Sequence, residues 1–166
     1  MYLPGAKYPG LFLFVGPMGQ SAGAIQMLAS AAMKNFGHYN KGQFLTQQSP
    51  MPISAVTEVL ALMFIGFDIF WLVLAIYFVI EGAFQRKLTF TMTWWSSIFP
   101  VATLNVALLS LSEELNSPAF RVLTTGLLLI LLVDYFLCWG FTIWGIWKGT
   151  ILDGREQLAE MASKTE

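Results

Sequence analysis

Charge is what this sequence has least of. Asp, Glu, Lys and Arg make up 11% of its 166 residues, under half of the roughly 25% that a soluble domain carries. The few charges fall between long apolar stretches, and hydrophobic types reach 56%. That distribution excludes a soluble globular domain and fits a chain solvated mostly by lipid. The net charge of −1 gives no electrostatic footing for nucleic acid. The single cysteine, Cys138, rules out an intrachain disulfide and lies deep in the last apolar stretch, where it reads as packing. The single histidine, His38, falls in a polar segment with no second His or Cys nearby, so no metal site is expected. No acid–base cluster or activated nucleophile is legible. The expectation is therefore a chain that is not an enzyme, with no catalytic residues and no cofactor.

What the sequence does have is four long apolar runs. Lys7 and Lys34 bracket Leu11 to Met33, long enough to cross a hydrocarbon core of about 30 Å at about 1.5 Å per residue. A basic leader and a short apolar region are absent there, so this run is not a signal peptide. Phe36 to Pro52 is polar and reads as a loop. Ile53 to Phe84 is apolar apart from Glu58, Asp68 and Glu81, and is closed by Arg86 and Lys87. Thr89 to Leu111 is uncharged and begins with Trp94 and Trp95, residues that favour the membrane interface. A polar turn over Ser112 to Pro118 leads to a fourth run between Arg121 and Lys148, interrupted only by Asp134. The expected organisation is an N-terminal segment over 1–9, a transmembrane domain over 10–148 and a tail over 149–166. The helices fall at about 11–33, 53–84, 89–111 and 119–147. An even number of spans puts both termini on one side, with Lys7, Arg86, Lys87, Lys148, Arg155 and Lys164. Lys34, Lys41 and Arg121 lie on the other, so the positive-inside bias places both termini in the cytoplasm.

The four runs form a repeat. Phe67-Asp68-Ile69-Phe70-Trp71 aligns with Val133-Asp134-Tyr135-Phe136-Leu137, and Val15-Gly16-Pro17 aligns with Ile98-Phe99-Pro100. Each hairpin thus pairs a proline-broken first helix with a second helix that carries a mid-span acid. The odd helices hold the small and polar residues, among them Gly16, Gly19, Gly23, Ser97 and Thr103. Irregular backbone at membrane depth is tolerated only inside protein or beside a water-filled cavity. The odd helices should therefore face an interior, and the large apolar even helices should face lipid. Asp68 and Asp134 have two readings, because charge at that depth costs at least about 2.5–3.5 kcal/mol. Either they are held by packing and hydrogen bonds, or they couple transport to protons.

Two stretches are specific: Pro9-Gly-Leu-Phe-Leu-Phe-Val-Gly-Pro17 and Trp94-Trp-Ser-Ser-Ile-Phe-Pro100. With Ser112-Glu-Glu-Leu115 they resemble the tellurite-resistance/dicarboxylate transporter family, which includes fungal malic acid transporters, sulfite efflux pumps and plant slow-type anion channels. The resemblance runs from Pro9 to about Lys148. It implies a ten-helix fold of five hairpins around a pore lined by the odd helices, of which this chain matches the last two hairpins. It implies a truncated C-terminal part, a fragment, or one component of a homo-oligomer. The pore and gate residues it implies are Gly16, Pro17, Phe99, Pro100 and Thr103, with Phe99 at the position of the gating phenylalanine. From the residues alone, Phe99 reads first as a ring packed against a neighbouring helix, and the resemblance brings the gate reading level with that one.

The function implied by the resemblance is passage of small organic or inorganic anions, C4-dicarboxylates such as malate ahead of sulfite. Without a mid-span Arg or Lys, selectivity would rest on pore width, helix dipoles and small polar groups. The rival reading is a membrane assembly subunit with no pore of its own. The other expected surroundings are membrane lipid and, by resemblance, the plasma membrane.

Overall fold

The structure, a computed structural model, describes residues 5–39, 42, 44–85, 88 and 90–149. Arg86, Lys87, Lys41, Arg155 and Lys164, and the side chain of Lys7, lie outside the described residues. So does nearly all of the expected tail.

Four helices are long and apolar enough to cross a membrane: Pro9–His38, Pro50–Phe84, Met92–Glu114 and Pro118–Trp147. The two odd spans are composite. A 3-10 segment, Gly5–Phe14, leads into α1, Gly16–Tyr39, and a second one, Met92–Ser97, leads into α3, Ile98–Glu114. The even spans are single long helices, α2 over Pro50–Phe84 and α4 over Pro118–Trp147. This is the two-hairpin repeat, and no strand occurs among the described residues.

The prolines act differently from the sequence expectation. Neither Pro17 nor Pro100 breaks a helix: each sits in the first turn of an α-helix, and the change from 3-10 to α winding comes just before it. A proline is cheap there, because its missing N–H would have no intrahelical partner and its fixed φ suits the first turn. The same preference places Pro50 and Pro118 at the starts of α2 and α4. Between α3 and α4, Asn116 adopts a left-handed φ of 45°. Its N–H bonds to the Glu113 carbonyl at 3.2 Å and that of Ser117 to the Ser112 carbonyl at 3.3 Å, the two bonds of a Schellman stop. Arg121 then clamps the turn with a 2.7 Å bond from Nη2 to Asn116 Oδ1.

α1 and α3 run parallel and touch along their length. Gly16 faces Pro100, Gly19 faces Leu104 and Gly23 faces Ala107. Closest is Gly19, where a Cβ would lie 2.8 Å from the Leu104 backbone N and 2.9 Å from its Cα. Gln26 crosses the same seam, donating to the Ala22 carbonyl at 3.1 Å and the Ala107 carbonyl at 3.3 Å. Behind this pair, α2 presents a buried stripe of Thr57, Ala61, Ile65, Asp68, Leu72 and Ala75. The core is where these surfaces meet: Val15, Ala22, Ala61, Ile65, Val101, Leu104, Leu108 and Leu111.

α4 is held more lightly. The Ser97 hydroxyl reaches Asp134 Oδ2 at 2.6 Å, and the Trp95 indole donates to Thr142 Oγ1 at 3.0 Å. Trp95 is thereby tied to α4. The backbones of α2 and α4 do not approach each other among the described residues. Their outer faces carry large exposed apolar side chains, such as Phe70, Val73, Val133 and Phe136. In their most apolar windows the odd spans bury 39% and 44% of residues against 22% and 11% for the even ones, so the odd pair forms the inner layer.

Because a methyl at Gly19 meets the Leu104 backbone as well as the buried Asp68 carboxyl, Gly19→Ala forces α1 and α3 apart. The expected loss is about 1–3 kcal/mol, read as a lower melting temperature of the purified protein in detergent. Gly66→Ala, in open space on α2, should melt with the wild type.

Candidate pore-lining face

At 100° per residue, the surface of α1 divides into three arcs. Gly16, Gly19, Gly23 and Gln26 meet α3, whereas Val15, Ala22 and Ala29 are buried on another side. The remaining arc, Pro17, Gln20, Ser21, Ala24, Met27, Leu28 and Ala31, is exposed. α3 divides in the same way. Pro100, Leu104 and Ala107 meet α1, and Ser97 at its cap reaches α4. Phe99, Val106, Leu109 and Glu113 stay exposed, with Thr103 and Ser110 half-buried beside them. For two parallel helices with these contact sides, both open arcs point the same way. That direction is opposite to the layer formed by α2 and α4.

This open face differs chemically from the lipid-facing surfaces. It mixes small and polar groups along α1, and toward the C-terminal ends of α1 and α3 it holds a groove of about 340 Å³. Ser30, Lys34, Asn35, Ser110, Glu113 and Glu114 line that groove, and Ser30 donates to Glu114 Oε1 at 3.3 Å. Polar and charged groups of this kind are costly against hydrocarbon and belong beside water or other protein.

The residues singled out by sequence separate into two groups. Gly16, Pro100 and Thr103 come together where the two α-helices begin. A Cβ on Gly16 would touch the Pro100 ring at 3.5 Å. The Thr103 hydroxyl lies 2.8 Å from the Pro100 carbonyl and 3.4 Å from that of Gly16. Pro17 and Phe99 flank this cluster on the open side, and Phe99 is 60% exposed, so its ring is not packed into the core of these four helices. The two acids lie behind, off the open face. They also differ from one another, which their matched sequence positions conceal. Asp68 is fully buried against Gly19, and neither carboxyl oxygen has a hydrogen-bond partner. Asp134 is half-buried and receives the Ser97 hydroxyl, with the Cys138 thiol 4.0 Å from Oδ1. Gln26 was not among the sequence candidates, although it is buried and bridges two helices. A Gln in an apolar run, which Gln20 shares, is the signal that marked it.

The model of the voltage-dependent anion channel family matches residues 1–143. The chain belongs to that family. Sulfite efflux pumps of Trichophyton rubrum and Arthroderma benhamiae are each 25% identical to it over 142 residues, 86% of this chain and 36% of the pump. An uncharacterized transporter of Methanocaldococcus jannaschii is 28% identical over 99 residues, 60% of this chain and 24% of the transporter. The chain thus spans about a third of the length of the curated fungal relatives it matches. No solved structure matches it. The chain is an integral membrane protein of an anion-transporting family whose members are channels and transporters rather than enzymes.

The Ser97–Asp134 bond is a side-chain tie between α4 and the start of α3, so Ser97→Ala should cost about 1 kcal/mol. Asp134→Asn keeps an acceptor for the hydroxyl and should cost less. Thermal unfolding of both variants orders them; equal losses would show that the bond does not hold the helix.

Proposed function

We propose that this chain supplies two hairpins of a pathway for small anions, lined by the open face of α1 and α3. The observation that carries this reading is the open side of a parallel helix pair, where Gln20, Ser21, Thr103 and Ser110 stand among apolar side chains such as Leu28 and Phe99, opposite to the apolar outer layer. Four helices leave that surface open. Closing a lumen takes further helices on the open side, from a longer parent chain or from other copies of this one.

Phe99 is the constriction in this reading. It stands exposed at the start of α3, beside the Gly16–Pro100 contact that holds the two helix starts together. An apolar ring in a narrow lumen gates by dewetting. No Arg or Lys lies mid-span, so the cargo is selected by width and by groups such as Thr103, Gln20 and Ser21. Sulfite is favoured over C4-dicarboxylates such as malate, because sulfite efflux is what the names of the fungal relatives state. In the assembled pore, Phe99→Ala should raise sulfite flux into liposomes by about tenfold, with melting temperature unchanged. A variant that loses stability and gains no flux would make Phe99 a packing residue. Malate carried faster than sulfite would reverse the cargo order. Absence of flux from the closed assembly would favour a subunit that carries nothing.

The distribution of Lys and Arg favours both termini in the cytoplasm, and the plasma membrane is proposed from the family resemblance. In a Cys138→Ser background, a membrane-impermeant maleimide added to intact cells should label Asn116→Cys and spare Gln85→Cys. The opposite pattern would invert the topology.

A further inference from the structure

Of the two mid-span acids Asp68 and Asp134, it is Asp134 that borders open space. Two cavities meet at it and at Trp94. The larger, about 330 Å³, extends toward the C-terminal end of α4 and is walled by Phe90, Trp94, Leu137, Cys138 and Phe141. The smaller, about 220 Å³, extends the other way, between Leu72 and Ile76 of α2 and Leu127 and Leu131 of α4. α2 and α4 do not close over it, since their backbones do not approach one another among the described residues. The result is an apolar groove along α4 with a carboxyl group at its waist.

That carboxyl is only partly satisfied. Oδ2 shares the Ser97 hydroxyl, at 2.6 Å, with the Trp94 carbonyl, at 2.7 Å, whereas Oδ1 has among the described residues only the Cys138 thiol, a weak donor, at 4.0 Å. No Lys or Arg pairs with Asp134 among the described residues: Arg121 is bonded to Asn116 Oδ1 at 2.7 Å, and Lys148 lies over the Trp144 ring at 4.1 Å. Binding sites for small molecules have this composition: apolar walls with one placed polar group. Here the polar group is an acid, and the walls beside it are aromatic. Phe90 and Phe141 pack with ring centroids 5.2 Å apart, and aromatic faces attract a cation.

We infer that this groove binds a lipophilic amine, with its protonated nitrogen on Asp134 Oδ1 and its apolar arm in the larger cavity. An ammonium N–H supplies a stronger donor to Oδ1 than the Cys138 thiol does, and a countercharge at a depth where a lone carboxylate is disfavoured. An alkyl chain fills the apolar space but answers neither need. The inference does not depend on the anion reading, because the groove lies on the opposite side of the helix pair from the open face.

Native mass spectrometry of the detergent-purified chain, titrated with N,N-dimethyldodecylamine or with 1-dodecanol, tests it. The wild type should retain one amine and hold it about tenfold more tightly than Asp134→Asn does, while dodecanol binds both alike and weakly. Phe141→Ala, which keeps the acid and removes one wall, should also weaken the amine. The single cysteine gives a second reading: the amine should slow alkylation of Cys138 by N-ethylmaleimide. Fast alkylation of Asp134→Asn without ligand would mark a misfolded variant, and the Phe141→Ala comparison then decides. Equal amine affinity in wild type and folded variants, or dodecanol held as tightly as the amine, would overturn the inference and leave a groove that holds alkyl chains only.

Discussion

The backbone contact between α1 and α3 at Gly19 and Leu104 sets the rest of the structure. In hydrocarbon there is no hydrophobic force to bring helices together, so close packing and interhelical hydrogen bonds must do so. Three glycines on one side of α1 allow the approach, and Gln26 then bonds a carbonyl on each helix. Once the two helices lie side by side and parallel, their remaining surfaces are assigned. The contact side is consumed, the rear receives α2 and α4, and the third side stays open. Asp68 belongs to the same arrangement: its carboxyl fits only because Gly19 has no side chain, where a Cβ would lie 2.6 Å from Oδ2.

The 3-10 segments ahead of α1 and α3 follow from the same geometry. They extend both odd spans beyond their α-helical parts and pack against one another, so the α-helices begin inside the membrane-spanning stretches. That places Gly16, Pro17, Phe99, Pro100 and Thr103 at one level, at the start of the inner pair. It also explains why Pro17 and Pro100 are tolerated in the first turns, where an α-helix has N–H groups without intrahelical partners. The outer helices carry no such irregularity, as lipid-exposed backbone must satisfy its own hydrogen bonds.

The two acids show how little an internal repeat says about local chemistry. They align within the same five-residue pattern, yet their surroundings come from different neighbours. Asp68 meets a glycine and the core of three helices; Asp134 meets Ser97, Cys138 and open apolar space. One is sealed and the other is accessible, so a shared role inferred from their alignment does not hold at the level of contacts.

What the sequence by itself determined is the class: four membrane helices, two hairpins, an inner odd pair and an outer even pair, and the family. These are legible because hydropathy and charge placement act over some twenty residues at a time, and lipid leaves few other solutions. The motifs around Pro17 and Pro100 marked the helix starts correctly, but local propensity could not say that the winding changes before the proline and continues through it. Which Gly meets backbone, why Gln26 matters, and which acid is sealed were settled only by tertiary structure. Each depends on the rotation of one helix against another, and that rotation is set by side chains far apart in the chain.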